Sequence, residues 1–406
     1  MTEASMVIVG GGKAGARAAI AFRENAWKGP VMLISDEALA PYDRPPLSKA
    51  AIMEDAEPQP TYLLDDGMMA SLEVNFLRGS AVTAIDRSAK TVVLADGKKI
   101  PYDRLLIATG AEPRRLLQAG AERALLLRDL ADSIKIRSEF IGGKSVAIIG
   151  GGFIGLELAA SAAKRGCRVT VIEAQPRILM RGVPPEIAAR IAARHAEAGV
   201  AILTSAVITE IGPDRVLLSD GRQIPADTLI AGIGAAPRVK LAESAGLALD
   251  NGIACNTYLQ TSDPHIFAVG DCCSFPHPIF GNERLRLEAW RNASDQASVA
   301  VENMLGGLRP YDAVPWFWTD QYELNLQIAG LPQRGISTVE RVPREGAMIL
   351  CHLDGTGRLV GASGIGPGNS IARDIRLLEM LIGKRAVPDP AALADPSFQL
   401  KSLLKP

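Results

Sequence analysis

The chain has 406 residues, 48% of them hydrophobic and 22% charged, which is enough for two or three globular domains with sizeable cores. A formal net charge of −1 excludes a broadly basic nucleic-acid binder or a polybasic membrane arm. No run approaches eighteen uninterrupted apolar residues, and the start, MTEASMVIVGGG, has neither a basic n-region nor a long apolar stretch, so neither a membrane span nor a secretory leader is expected.

The first apolar run, Met6–Val9, leads into GGGKAG and a helical pattern through ARAAIAFREN. Gly10, Gly12 and Gly15 make G-x-G-x-x-G between a predicted strand and a predicted helix. A second strand, VMLIS, ends in Asp36, twenty-one residues beyond Gly15. Chemistry explains the spacing. Gly10 permits a tight turn, Gly12 lets a pyrophosphate approach the backbone, and Gly15 lets helix and strand pack closely. The helix N-terminus supplies free N–H groups for phosphate, and the acid takes a ribose hydroxyl.

Next comes PYDRPPLSK (41–49), a stiff elbow with two adjacent prolines, a lysine and no cysteine. Further on, SVAIIGGGFIGLELAASAAKRGCRVTVIE (145–173) repeats the whole first unit: Gly150, Gly152 and Gly155 keep the spacing and Glu173 closes the second strand. A second pair of repeats joins the first. TVVLADGKKIPYDRLLIATG (91–110) matches RVLLSDGRQIPADTLIAGIG (215–234), each an Asp-Gly hairpin followed by an apolar strand ending in glycine. Two copies of a βαβ-plus-hairpin unit imply two dinucleotide sites. Glu173 would accept both ribose hydroxyls and repel a 2′-phosphate, so NADH is expected at the second site and FAD at the first. Arg177, four residues on, leaves some NADPH use open.

From about residue 311 the character changes. WFWTDQYELNLQIAG alternates like strands, MILCHLDGTGRLVGASGI reads as a hairpin around DGTG, and SIARDIRLLEMLIGKR as an amphipathic helix. The expected fold is therefore α/β: two Rossmann-like dinucleotide-binding domains plus a small α+β C-terminal domain. The expected boundaries are 1–110 and 239–311 for the two parts of the FAD domain, 111–238 for the NAD domain and 312–406 for the C-terminal domain.

Taken together, PYDRPPLSK, LLIATGAEPR, GGGFIGLELA, GIGAAPR, TSDPHIFAVGD, LRLEAWRNASDQ and WFWTDQYELNLQIAG resemble the FAD-dependent, NADH-using ferredoxin reductases of bacterial oxygenase systems, over almost the whole chain. That resemblance implies FAD contacts at Gly10, Gly12, Ala14, Gly15, Asp36, Arg44, Pro46, Lys49, Val82, Thr109, Gly110, Arg128, Gly270, Asp271, Glu288, Ala289 and Trp290. It implies NAD contacts at Gly150, Gly152, Phe153, Ile154, Gly155, Glu157, Glu173, Gly232, Ile233 and Gly234. Lys49 and Glu157 are the expected catalytic pair, orienting the nicotinamide and stabilising charge on reduced flavin. In disulfide-reducing relatives the elbow helix carries a redox cysteine, whereas the first cysteine here is Cys167.

The implied activity is hydride transfer from NADH to FAD, then single-electron transfer to a [2Fe–2S] ferredoxin serving a cytochrome P450 or a Rieske ring-hydroxylating dioxygenase. Arg44, Arg284, Arg286, Arg291 and Arg309 could steer an acidic ferredoxin despite the near-zero net charge, and Trp316 is expected near the flavin. The alternatives are another acceptor (rubredoxin, a quinone or monodehydroascorbate) and a binding module of the apoptosis-inducing-factor type with slow redox. The tail DPAALADPSFQLKSLLKP lacks the amphipathic character of a quinone reductase's membrane anchor.

The remaining chemistry-bearing residues read as structural. Cys167, Cys255, Cys272, Cys273 and Cys351 show no C-x-x-C spacing, so free thiols in a reducing, cytoplasmic setting are expected; adjacent Cys272 and Cys273 would make a strained disulfide. His195, His265, His277 and His352 show no metal-ligand spacing, and no metal site is expected. The Asn292-Ala293-Ser294 sequon is noise in a cytoplasmic protein. The partners expected are small molecules and a transient ferredoxin, without nucleic acid or membrane, on a monomer or weak homodimer.

Overall fold

The computed structural model describes residues 5–54 and 56–405. The chain divides into two compact units. One comprises residues 1–43, 60–112 and 236–313; the other comprises 44–59, 113–235 and 314–406.

The first unit is built on a five-stranded parallel sheet in the order Ile266–Ala268, Arg104–Ile107, Met6–Val9, Val31–Ile34, Val74–Leu77. Met6–Val9 is buried along its length, as a central parallel strand covered on both faces must be. Its register sets Val9 opposite Ile34 on one side and Ile107 on the other, so the loops after all three strands open at one end of the sheet. Ligands of open α/β sheets bind at that end. The helix Lys13–Glu24 follows the glycine loop, and Trp290–Met304 packs alongside it. The predicted Asp-Gly hairpin forms as Thr91–Leu94 against Lys99–Pro101, with Val82–Asp86 as the third strand.

The second unit repeats this plan. A four-stranded parallel sheet runs Ala201–Leu203, Arg168–Ile172, Ser145–Ile149, Thr228–Ala231. The matching hairpin pairs Arg215–Leu218 with Gln223–Pro225 and adds Ile208–Ile211. Equivalent registers, Thr91 with Pro101 and Arg215 with Pro225, express the sequence repeat in three dimensions. The helix Phe153–Lys164 buries Leu156, Leu158 and Ala159 on this unit's core.

A five-stranded antiparallel sheet completes the unit, in the order Trp316–Gln321, Leu324–Gly330, Leu359–Pro367, Met348–Leu353, Ser337–Arg341, with the helix Ala372–Gly383 against it. Its residues Leu326, Ile328, Leu350 and Ile365 share one core with Ile148, Leu156 and Ile187 of the Rossmann part. Ile52, completely buried, brings the proline elbow into the same core. Burying one such side chain stabilises by roughly 2 kcal/mol, which anchors residues 44–59 in this unit although the flanking chain belongs to the other.

Candidate functional site

The first cradle is the glycine loop before Lys13–Glu24. Gly10 adopts φ +120°, and a Cβ there would lie 2.2 Å from the Ala108 carbonyl oxygen. A Cβ on Gly15 would lie 1.9 Å from the Gly10 oxygen, so these two glycines are demanded by the protein itself. Gly12 is different: a Cβ there meets nothing within 4 Å, which leaves open space at the loop's apex. No side chain caps the helix, and its first turn holds no acid. Its leading N–H groups and partial positive charge therefore face that space. This arrangement fits a dinucleotide pyrophosphate.

Around the loop, Asp36 meets Arg238 at 3.2 Å, both partly exposed. Thr109 Oγ1 donates to the Arg238 carbonyl (2.9 Å), and the Arg238 N–H returns to the Gly110 carbonyl (2.9 Å). Ala14 is buried, with Gly270 beside it, 3.5 Å from the alanine Cβ to the position of a glycine Cβ. The Gly270 N–H donates to Gln296 Oε1 at 2.7 Å, while the buried Gln296 Nε2 has no partner among the described residues. Asp271 lies in the turn Gly270–Cys272, and its carbonyl accepts Arg286, which also pairs with Glu288 at 2.6 Å. Ala289 begins the helix that opens with Trp290. Trp290 Nε1 donates to Asp43 at 2.5 Å, and Lys13 Nζ stands 3.6 Å over its ring. Burial pushes the Lys13 ammonium below its ordinary range, opposed by the Asp43 charge. Val82 starts its strand opposite Leu94.

The second cradle repeats the geometry. A Cβ on Gly150 would sit 2.4 Å from the Gly232 oxygen and one on Gly155 2.2 Å from the Gly150 oxygen, while Gly152 has only a carbonyl at 3.9 Å. The helix behind it is likewise uncapped by any side chain. Glu173 turns onto the loop: its carboxylate accepts the Gly151 and Gln175 N–H groups, each at 2.7 Å. Gly232 donates to the Ile149 carbonyl at 2.7 Å, and Ile233 packs against the core. Gly234 has φ +100°, with Arg181 Nη2 2.9 Å from where its Cβ would be. Ile154 is about half exposed, and the Phe153 ring lies 4.3 Å from that of Phe317. Arg177 spends its guanidinium on the carbonyls of Ile178, Leu179 and Val183 at 3.1, 3.1 and 2.9 Å. The cation that left NADPH open on sequence grounds thus serves its own loop.

In the same unit Lys49 Nζ lies 3.0 Å from Glu157 Oε1. Lys49 precedes the short helix Ala50–Met53 and follows the turn Pro45–Ser48, which contains Pro46. Glu157 faces inward, its side chain 8% exposed, and takes further hydrogen bonds from Ser48 Oγ on Oε2 and from Thr319 Oγ1 on Oε1. Burying a carboxylate is tolerable only with such partners. Arg44 donates to the Arg128 carbonyl at 2.6 Å, so Arg44, Pro46, Lys49 and Arg128 fall in the second unit while the other expected FAD contacts fall in the first.

Sequence reasoning missed Ser48 and Thr319. Ser48 lies inside the quoted PPLSK motif, whereas Thr319 carries no signal beyond strand alternation. Each of the five arginines expected to steer a partner has an internal one: Arg44 a carbonyl, Arg284 Asp250 at 3.0 Å, Arg286 Glu288, Arg291 Asp295 at 3.5 Å and Arg309 Glu302 at 2.8 Å. Trp316 stacks on Trp318, ring centroids 5.4 Å apart. The cysteines are free, and burial raises the Cys272 thiol to about 11 and the Cys273 thiol well up, so neither is a ready nucleophile. Among the described residues no helix is long and apolar enough to cross a membrane, and no group of three His, Cys, Asp or Glu is placed to hold a metal ion.

Comparison with known proteins adds to this geometry. Residues 4–297 match the pyridine nucleotide-disulphide oxidoreductase family and residues 316–404 the reductase C-terminal family. The chain is 39% identical to the anthranilate 1,2-dioxygenase system ferredoxin–NAD(+) reductase component of Burkholderia cepacia, covering all of both chains. It is 40% identical to putidaredoxin reductase of Pseudomonas putida over 81% of each chain. In structure it is similar to the reductase in the covalent putidaredoxin reductase–putidaredoxin complex, with a TM-score of 0.93 and 35% identity over 100% of this chain and 99% of that one. The twin glycine cradles, the Lys49–Glu157 pair and the antiparallel sheet thus sit on a chain that belongs to the pyridine nucleotide-disulphide oxidoreductase family, in the branch that carries the reductase C-terminal domain.

Proposed function

We propose that this chain is an NADH-dependent ferredoxin reductase that supplies a cytochrome P450 or a ring-hydroxylating dioxygenase through a [2Fe–2S] ferredoxin, working in the cytoplasm. The Gly10–Gly15 cradle would hold FAD, which when bound would supply the redox chemistry between NADH and the ferredoxin. The carrying observation is that the elbow presents Lys49, 3.0 Å from Glu157, and holds no thiol. The full-length similarity to relatives named as ferredoxin–NAD(+) reductases supports the same reading.

The roles of the residues follow from their chemistry. Residues 1–110 and 239–311 are the FAD part, with the Gly10–Gly15 loop and the helix at Lys13 for the pyrophosphate and Asp36 for the ribose. Residues 111–238 are the NAD part, with the Gly150–Gly155 loop for the pyrophosphate, Glu173 for the adenosine ribose and Gly232–Gly234 along the cofactor. Residues 312–406 are the C-terminal part, of which 314–406 complete the second unit and supply Thr319 to Glu157. Lys49 and Glu157 orient the nicotinamide, and Lys49 offers a positive charge toward the reduced cofactor. Arg177, held by carbonyls, cannot reward a 2′-phosphate, which favours NADH.

Stopped-flow mixing tests the reading. Fast bleaching of the yellow protein by NADH, slower by NADPH, followed by rapid one-electron reduction of a [2Fe–2S] ferredoxin, is expected. Lys49→Ala and Glu157→Ala should each slow bleaching with FAD still bound. A reduced protein that ignores ferredoxins and reacts with quinones or disulfides would overturn the assignment.

A further inference from the structure

Behind Glu157 the second unit holds a continuous line of polar side chains. Thr319 Oγ1 reaches Glu157 Oε1. Gln321 Nε2 lies 3.2 Å from Thr319 Oγ1, and its Oε1 lies 3.1 Å from His195 Nε2. His195 Nδ1 lies 3.2 Å from the Tyr322 hydroxyl. Thr319, Gln321 and His195 are all essentially inaccessible to solvent. The outer end is closed by Arg194, whose guanidinium stands 4.2 Å over the Tyr322 ring and pairs with Glu323 at 2.7 Å. Three elements contribute: the helix carrying Glu157, the edge strand Trp316–Gln321 with its turn, and the helix Pro185–Glu197.

The line has one consistent direction. A carboxylate only accepts, so Thr319 must donate to Glu157. Its oxygen is then free to accept the Gln321 amide N–H. The Gln321 carbonyl in turn requires a proton on His195 Nε2, so His195 Nδ1 accepts from Tyr322 in the neutral ring. Burial, which lowers His195 to about 4, agrees with that neutral form. Flipping the Gln321 amide would make Thr319 donate to Gln321 and leave Glu157 without that bond. Each link therefore fixes the next, and bonds aligned in one sense polarise one another.

We infer that Tyr322, His195, Gln321 and Thr319 form a one-way hydrogen-bond chain that holds the Glu157 carboxylate against Lys49, making Thr319 and Gln321 positioning residues for hydride transfer. This rests on the reading that Lys49 and Glu157 orient the nicotinamide. Ser48 secures the other carboxylate oxygen from the elbow, so Glu157 is clamped from both sides. The chain gives the C-terminal sheet a part in the nicotinamide site.

The experiment is a double-mutant cycle on the FAD-loaded protein, read as the limiting rate of flavin reduction at saturating NADH and, separately, the NADH Kd. Thr319→Val keeps shape and removes the donor; the limiting rate should fall roughly tenfold, the loss of one charge-assisted bond, with Kd little changed. Thr319→Ser should restore the rate. Combined with Glu157→Gln, Thr319→Val should add no further loss, because it acts through that carboxylate. Should Thr319→Val lose FAD, Gln321→Met is read by the same cycle. A silent Glu157→Gln would overturn the site assignment itself. A slow Glu157→Gln beside a wild-type Thr319→Val, or losses that simply multiply, would overturn the chain alone.

Discussion

The carboxylate of Glu173 accepts the N–H of Gly151 at 2.7 Å, so the acid that closes the second strand also braces the loop it serves. A second backbone donor, Gln175, holds its other oxygen. Each oxygen keeps a lone pair for a ribose hydroxyl. Glu173→Ala should raise the NADH Kd roughly tenfold, measured by titrating the oxidised protein with a non-reducing NAD analogue. An unchanged Kd would remove Glu173 from the ribose site.

Arg177→Ala separates two roles for one cation. Losing three carbonyl partners should cost about 2 kcal/mol of stability, seen as a lower urea midpoint. The ratio of NADH to NADPH use should stay within about twofold. A large change in that ratio would show that Arg177 leaves its carbonyls when nucleotide binds.

Glycines in one loop should behave differently. Gly12→Ala has open space around its Cβ and should fold while holding FAD poorly; Gly152→Ala should keep FAD and weaken NADH by roughly tenfold. Gly10→Ala drives a Cβ to 2.2 Å from a carbonyl at φ +120° and should impair folding itself. FAD content, NADH Kd and the thermal midpoint of each variant check all three.

Two histidines make stability depend on pH. Burial lowers both His195 and His352 to about 4. In the unfolded chain they take protons below about 6.5. Between those values the unfolded state holds more protons, so stability rises with pH and is lost as pH falls from 6.5 toward 4. Each contributes up to roughly 3 kcal/mol above that window. Urea midpoints at neutral and mildly acid pH should show the loss, and His195→Gln should reduce it while leaving the share that His352 contributes. A pH-independent midpoint would mean both rings protonate inside the folded protein.

The glycine loops and the acids after them were legible because each demands a residue type at fixed spacing. The Asp-Gly hairpins and the strand alternation after residue 316 were legible for the same local reason. What holds Glu157 was not: Ser48 lies 109 residues away and Thr319 162 away, and a hydroxyl in an alternating strand looks like any solvated one. The elbow's membership of the second unit rests on the buried Ile52 and on long-range bonds such as Ser133 to the Leu47 carbonyl and Ser161 to the Ser48 carbonyl, none of which local sequence announces. The arginines looked free because sequence proximity says nothing of the carboxylate or carbonyl that takes each.

The partners of Glu157 come from stretches that recombination would separate. A chimera exchanging everything after residue 313 for a relative's tail imports new residues at 319, 321 and 322 while Ser48, Glu157 and His195 stay behind. Exchanging that tail therefore also changes the hydrogen bonds that hold Glu157. Chimeras that carry Thr, Gln and Tyr at those three places should keep their turnover, and those that do not should lose it.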